Sequence, residues 1–288
     1  MKKLTNAFQI DSFTTNAFEG NPAVVVKDDS LTTEEMQKIA KEMNLSESAF
    51  LQKSNKADYS LRWFTPTVEV DLCGHATIAS IHYLKEMDLL ENNSDVTFET
   101  RSGVLKCRRE DDLYLMQIPI PELEEYENNK KEILDALNIT DYSSTKNYPF
   151  ILTNDGILYI NINTFSDLKN IKPDFDKVYK LTENYNEIKV ITVYTTETID
   201  EGSSAHLRFF APFYGINEDP VTGSANGPLL MVLRHLGILE DSDDEFITFE
   251  QGDIIGRKGR VKVIYSPDTN LLRIAGNAFT VLKGEINF

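Results

Sequence analysis

One pattern occurs twice in this chain of 288 residues, and it constrains the fold more than any other feature. The first copy is Arg62-Trp63-Phe64-Thr65-Pro66, then Cys73-Gly74-His75-Ala76, then an apolar helical stretch. The second is Arg208-Phe209-Phe210-Ala211-Pro212, then Thr222-Gly223-Ser224-Ala225, then another such stretch; its loop is three residues longer. Each copy reads as a strand stopped by proline, which has no N–H for the ladder. A loop follows, then a helix whose glycine permits close backbone approach. Two copies about half a chain apart imply two duplicated lobes. His75 and Ser224 fall at helix starts, where unpaired N–H groups and the helix dipole favour an anion. If the lobes face each other, both helix starts converge on one anionic ligand such as a carboxylate. They would also stabilise charge developing on it. The active site is therefore expected between the two paired segments.

The rest of the chain fits this frame. Apolar or β-branched runs at 8–13, 23–26, 59–64, 96–100, 113–118, 158–162, 189–194, 207–210, 246–249, 261–265 and 271–274 read as strands. Strands far outnumber helices, which argues against regular βαβ alternation. Thr32 and Glu35 form a capping-box pattern ahead of a periodic stretch at 36–43. Stretches 76–87 and 229–236 are apolar on more than one face and should be buried helices, each wrapped by a sheet. Amphipathic helices are expected at 130–137 and 175–181, and the acidic run 121–131 reads as a linker. The predicted division is 1–120 for the N-terminal lobe, with a strand at 278–288 returning to it, and 130–277 for the C-terminal lobe.

Composition excludes several functions. With 41% hydrophobic and 26% charged residues the chain is globular, and a net charge of −17 disfavours nucleic acid and anionic membranes. The basic runs Lys106-Cys107-Arg108-Arg109 and Arg257-Lys258-Gly259-Arg260 are short and have acidic neighbours. Two isolated cysteines make no disulfide framework and suit a reducing compartment. The head of the sequence, Met1-Lys2-Lys3-Leu4-Thr5-Asn6, is not followed by a signal-like apolar run, and no window is long enough to span a membrane. A cytoplasmic location is expected. Cys73 and His75 lie two apart and Cys107 is isolated, so the spacing matches no zinc motif. The glycines around 252–259 do not form a dinucleotide fingerprint. No metal and no cofactor are expected.

Four ordered motifs carry a family resemblance. They are Asp11-Ser12-Phe13 with Gly20-Asn21-Pro22-Ala23; Asn44-Leu45-Ser46-Glu47-Ser48-Ala49-Phe50; Glu69-Val70-Asp71-Leu72-Cys73-Gly74-His75-Ala76-Thr77; and Glu218-Asp219-Pro220-Val221-Thr222-Gly223-Ser224-Ala225. With Gln251-Gly252 and Gly256-Arg257 near the end, the chain resembles the PhzF-like phenazine-biosynthesis family over essentially its whole length. The resemblance implies an α+β, diaminopimelate epimerase-like fold of two pseudo-symmetric lobes, each a β-barrel-like sheet around a central helix. It implies a homodimer and a cofactor-independent isomerase that shifts a proton on a small anionic, carboxylate-bearing metabolite. By resemblance Glu47 is the general acid/base, His75 and Asp219 are further catalytic residues, and Gly74, Gly223 and Ser224 bind substrate.

The residues themselves sharpen this. Glu47 precedes Ala-Phe-Leu, and burial there would raise its pKa toward that of a useful base. It has no visible mate in the second half, whereas Asp219 matches Val70 or Asp71, depending on where the gap falls. One base suits a proton removed and returned by the same group; two would suit inversion of a stereocentre. Two-thiol epimerases of this fold need a cysteine in each loop, but Thr222 stands opposite Cys73, and its hydroxyl is too weakly acidic to replace a thiol. The alternatives are a non-catalytic binding protein and a one-thiol racemase using Cys73. Asn226-Gly227-Pro228 departs from the family pattern; the helix is expected to start near Pro228, leaving the amides of 223–227 as a ligand nest.

Overall fold

The computed structural model describes residues 4–145, 147–240 and 245–288. Met1, Lys2 and Lys3, the head of the segment read for a leader, lie outside the described residues. The chain divides into two units, Met1–Ile118 with Arg273–Phe288, and Pro119–Leu272.

The first unit contains β1 (Leu4–Ser12), β2 (Asn21–Lys27), α1 (Thr33–Met43), β3 (Glu47–Gln52), β4 (Tyr59–Phe64), β5 (Glu69–Val70), α2 (Gly74–Glu86), β6 (Ser94–Thr100), β7 (Gly103–Glu110) and β8 (Leu113–Ile118). The second contains β9 (Leu123–Tyr126), α3 (Lys130–Ala136), β10 (Phe150–Thr153), β11 (Ile157–Asn161), α4 (Phe165–Asn170), α5 (Phe175–Asn184), β12 (Val190–Thr195), β13 (Ser203–Ala211), β14 (Ile216–Asp219), α6 (Gly223–His235), β15 (Ile247–Gln251) and β16 (Gly259–Ser266). Strand β17 (Leu271–Gly276) carries the chain back to the first unit, where β18 (Ala278–Asn287) pairs antiparallel with β1.

In the first unit α1 starts at the capping box: Thr32 accepts from the Glu35 N–H, and the Glu35 carboxylate accepts from the Thr32 N–H. Met36, Ile39 and Ala40 of α1 pack with Val24, Val26, Phe50 and Phe64. Every residue of α2 from Gly74 to Leu84 is buried, and α2 packs against β1, β2, β3 and β8. Ile78, Ile81 and Leu84 are fully buried, each worth about 1.5–3 kcal/mol relative to exposure. In the second unit α6 is likewise buried along most of its length and packs against β11 and β16. Its other core joins α3, α4 and α5 to β10, β11 and β12.

The two units use the same strand logic. In the first, β2 pairs parallel with β3, and β4 pairs antiparallel with β3 and β5 and parallel with β6. In the second, β11 pairs parallel with β12, and β13 pairs antiparallel with β12 and β14 and parallel with β15. The run 121–131 is not a linker: it holds β9, which pairs antiparallel with β10, and the start of α3. The adjacent Glu124 and Glu125 of this short strand mimic linker composition. The basic runs are charge-paired, with Arg108 on Asp95 and Glu110 and Arg260 on Asp200 and Asp253. Among the described residues, no helix is long and apolar enough to cross a membrane.

Candidate active site

The repeat becomes a shared clamp. Arg62 of β4 makes a two-point ion pair with Glu69 of β5, at 2.7 and 2.8 Å. Arg208 of β13 does the same with Glu218 of β14, at 2.8 and 2.8 Å. Planar guanidinium–carboxylate pairs of this kind fix geometry as well as charge. Each clamp holds the strand that leads into its helix. The N-caps Cys73 and Thr222 are both extended and lack a side-chain cap. The fourth residue along from each cap closes on its carbonyl, Thr77 Oγ1 on Cys73 O at 2.6 Å and Asn226 Nδ2 on Thr222 O at 2.9 Å.

Strand register pairs the two copies residue by residue. Trp63 faces Val70, and Phe209 faces Asp219, so Asp219 occupies the place of Val70, not Asp71. Trp63 also faces Ala49, and Phe209 faces Thr192. Two residues back along these strands, Glu47 falls in the place of Val190. The parallel partners agree, since Ala23 faces Glu47 and Ile157 faces Val190. The three extra residues of the second copy therefore fall after Pro212, ahead of Glu218.

In the first unit Glu47 opens β3. Asn44 ends α1 in the left-handed region at φ 51°, and Leu45 and Ser46 turn the chain into the strand. One Glu47 carboxylate oxygen lies 3.3 Å from His75 Nε2, and Ser46 Oγ lies 3.3 Å from the same nitrogen. The Asn21 amide lies 3.2 Å from Nδ1; in this orientation its N–H donates to Nδ1 and leaves the ring proton on Nε2, facing Glu47. Ser12 Oγ donates to the His75 carbonyl at 2.7 Å. Gly20, ahead of Asn21, has φ +61°, and a side chain there would meet the Ser12 carbonyl. Burial pushes the His75 pKa down from 6.5 to about 3, so the ring is neutral near pH 7. It can donate or accept a hydrogen bond but does not supply a fixed positive charge. Cys73 Sγ lies 3.5 Å from His75 Nδ1. Spacing along the chain gives no metal pattern, but the fold brings a donor atom each from Glu47, Cys73 and His75 to within 4.8 Å of one another.

In the second unit the carboxylate of Asp219 accepts from the Thr222 hydroxyl. Gln251, the last residue of β15, binds this loop. Its Nε2 donates to Asp219 O at 2.9 Å and Thr222 Oγ1 at 3.2 Å, and its Oε1 accepts from the Thr222 N–H at 2.9 Å and Asn226 Nδ2 at 2.8 Å. Tyr159 donates to the Ala225 carbonyl at 2.8 Å. Helix α6 starts at Gly223, which corrects the expected start near Pro228. The N–H groups of Ala225 and Asn226 already donate to Thr222 O, so they are not part of an open nest; those of Gly223 and Ser224 belong to the first turn. Pro228 sits inside the helix as its sixth residue, where it has no N–H to give the Ser224 carbonyl. Gly223 is buried and Ser224 half-buried.

Structure thus brings Glu47 to His75 in one unit and Asp219 to Thr222, beside Gly223, in the other. Sequence reasoning gave Asn21, Ser12 and Gln251 no site role. Their signal was present only as members of quoted motifs. His82 has the structural contacts of a core residue, Tyr114 at 2.9 Å and Thr280 at 2.9 Å. His206 is fully buried against Glu250 at 3.0 Å.

A family model described as phenazine biosynthesis-like protein, PhzC-PhzF, matches residues 10–284. A Clostridium acetobutylicum protein named an uncharacterized isomerase is 39% identical over 98% of this chain and 97% of its own length. A human phenazine biosynthesis-like domain-containing protein is 34% identical, covering 97% of this chain and 98% of its own. The crystal structure of a Bacillus anthracis PhzF-family protein superposes with a TM-score of 0.88 at 30% identity over 99% of both chains. A probable proline racemase from Agrobacterium radiobacter shares the fold at a TM-score of 0.63 and 12% identity, covering 98% of this chain and 92% of its own. The α+β fold is the one shared by PhzF proteins and the racemases and epimerases of the diaminopimelate epimerase type.

Proposed function

The chain belongs to the phenazine biosynthesis-like PhzC-PhzF family and is an isomerase, and from that premise we propose that Glu47 moves a proton on a small carboxylate-bearing metabolite. The observation that carries this reading is the Glu47 carboxylate 3.3 Å from a buried, neutral His75. A mostly buried carboxylate beside a neutral hydrogen-bond donor can take up a proton and give it back. Glu47 removes a proton from an activated carbon of the substrate. The electron pair left behind moves toward the substrate carboxylate or carbonyl oxygen, and the Glu47 carboxyl returns the proton to a second carbon. Atoms and charge balance without a cofactor. The first-turn N–H groups of α2, with Gly74 at its start, stabilise the developing oxyanion. His75 holds or polarises the substrate. Within the second unit, Asp219 and the Gly223–Ser224 helix start serve in substrate binding.

The place of Cys73 supports proton shift over two-thiol epimerisation. Its equivalent is Thr222, whose hydroxyl is engaged with the Asp219 carboxylate. A one-thiol racemase is the second reading, favoured by the 3.5 Å approach of Cys73 Sγ to His75. The test is a panel of small carboxylates in deuterated water, followed by NMR. Substrate-dependent exchange that falls by about 10²–10⁴ in Glu47→Gln supports the proton shift. Exchange at wild-type rate in that variant sinks it, and loss confined to Cys73→Ala moves the assignment to the thiol.

A further inference from the structure

Three side chains of different donor chemistry meet beside the start of α2: Glu47 from β3, Cys73 from the N-cap and His75 from the first turn. The imidazole Nε2 lies 3.3 Å from a Glu47 oxygen and 4.0 Å from Cys73 Sγ, and one donor atom of each residue lies within 4.8 Å of the others. Bonds of about 2.0–2.1 Å to nitrogen and oxygen and about 2.3 Å to sulfur put neighbouring ligand atoms of a tetrahedral zinc ion about 3.3–3.6 Å apart. The Glu47–His75 edge is already at that length, whereas Cys73 Sγ, 4.0 Å from Nε2 and 3.5 Å from Nδ1, has to close on the metal. We propose that Glu47, Cys73 and His75 form a binding site for a thiophilic divalent cation of the zinc class, with the fourth position open to water.

Donor chemistry sets the selectivity. A thiolate and an imidazole favour Zn²⁺ or Co²⁺ over Mg²⁺ and Ca²⁺, which prefer oxygen. Asn21 supplies the outer contact: with its amide turned, the side-chain oxygen accepts from Nδ1–H while Nε2 binds the metal. Cys73 and His75 are buried and Glu47 is slightly exposed, which gives a solvent-facing entry. The net charge of −17 raises the local cation concentration. Binding displaces the Cys73 thiol proton to solvent and occupies the Glu47 carboxylate. A reversible block of proton transfer follows from this, and that consequence alone rests on the acid/base reading of Glu47.

The experiment titrates the reduced, metal-free full chain with Co²⁺ and then Zn²⁺. One Co²⁺ per chain should give a near-ultraviolet thiolate-to-cobalt band, and Zn²⁺ should bleach it by displacement. Cys73→Ser should remove the band and Cys107→Ser should keep it. Glu47→Gln, which preserves shape, should keep the band but weaken binding at least about 10-fold, as outer-shell changes alone can. Circular dichroism establishes that each variant is folded. No band in the wild type, a band that survives Cys73→Ser, or Co²⁺ affinity unchanged in Glu47→Gln overturns the site. The spectrum does not depend on turnover. A chain that binds metal as expected but exchanges no substrate proton contradicts the acid/base reading and leaves the metal site standing; exchange without a cobalt band does the reverse.

Discussion

The segments β4–β5–α2 and β13–β14–α6 share a scaffold and differ in chemistry. Both keep the arginine–glutamate clamp, the guanidinium over a phenylalanine ring at 5.1 and 4.9 Å, and an extended N-cap opening a buried helix. The carboxylates are exchanged between positions. The first unit has Glu47 where the second has buried Val190, and Val70 where the second has Asp219. His75 stands against Ser224, and Cys73 against Thr222. Duplication kept what sets backbone geometry and let the side chains around the two helix starts diverge, so that Glu47 and Asp219 stand at different places in the two units.

The largest expected effect separates the two carboxylates. For any substrate that exchanges, Glu47→Gln should lower kcat by about 10²–10⁴, while Asp219→Asn should act mainly on KM. Equal losses of kcat in both variants would erase the division of labour. The clamps come next. The Arg208 side chain is 7% exposed and also donates to the Leu168 and Ile171 carbonyls, whereas that of Arg62 is 24% exposed. Arg208→Ala should cost about 3–5 kcal/mol in urea unfolding, and Arg62→Ala clearly less. Matching losses would show the clamps to be equivalent.

Acid should discriminate the units by a smaller amount. His75 is neutral when folded, with a pKa of about 3, whereas the unfolded chain takes up its proton near 6.5. The unfolded state therefore binds more protons as pH falls from 6.5 toward 3, and stability declines across that window. At pH 5 the loss from His75 is about 2 kcal/mol. His82, brought by burial to about 4, acts in the same direction. Ser224 does not titrate there. The measurement is urea unfolding at pH 7 and pH 5, and His75→Gln should reduce the difference between them. An unchanged difference would remove His75 as the cause. Of similar size is the effect of Gln251→Ala, which strips the Thr222 N–H of its acceptor at a cost of about 1–3 kcal/mol. It should also weaken substrate binding through Asp219 more than it lowers kcat.

Much of this was legible in the sequence because it is local. The capping box at Thr32 and Glu35, the buried character of α2 and α6, and most long strands follow from periodicity and end signals. The strands that escaped are short or polar. β5 has two residues, β9 is Leu-Glu-Glu-Tyr, and β3 begins Glu-Ser-Ala, so their hydrogen bonds come from neighbours and not from their own propensity. Pro228 escaped for the opposite reason: a strong local signal yielded to the packing of α6.

By itself the sequence determined the duplication, the two buried helices and the family whose motifs hold Glu47, His75 and Asp219, since order and spacing along one chain are enough for each. Only tertiary structure decided which residues stand in equivalent places, because register is a property of paired strands. It found Val190 as the mate of Glu47 and Val70 as the mate of Asp219. It also joined Asn21, Glu47 and Cys73 around one imidazole, bringing 54 positions of chain separation down to hydrogen-bonding or ion-pair range. That is why spacing showed no metal pattern, and why the repeated segments, read alone, left out the carboxylate proposed to move the proton.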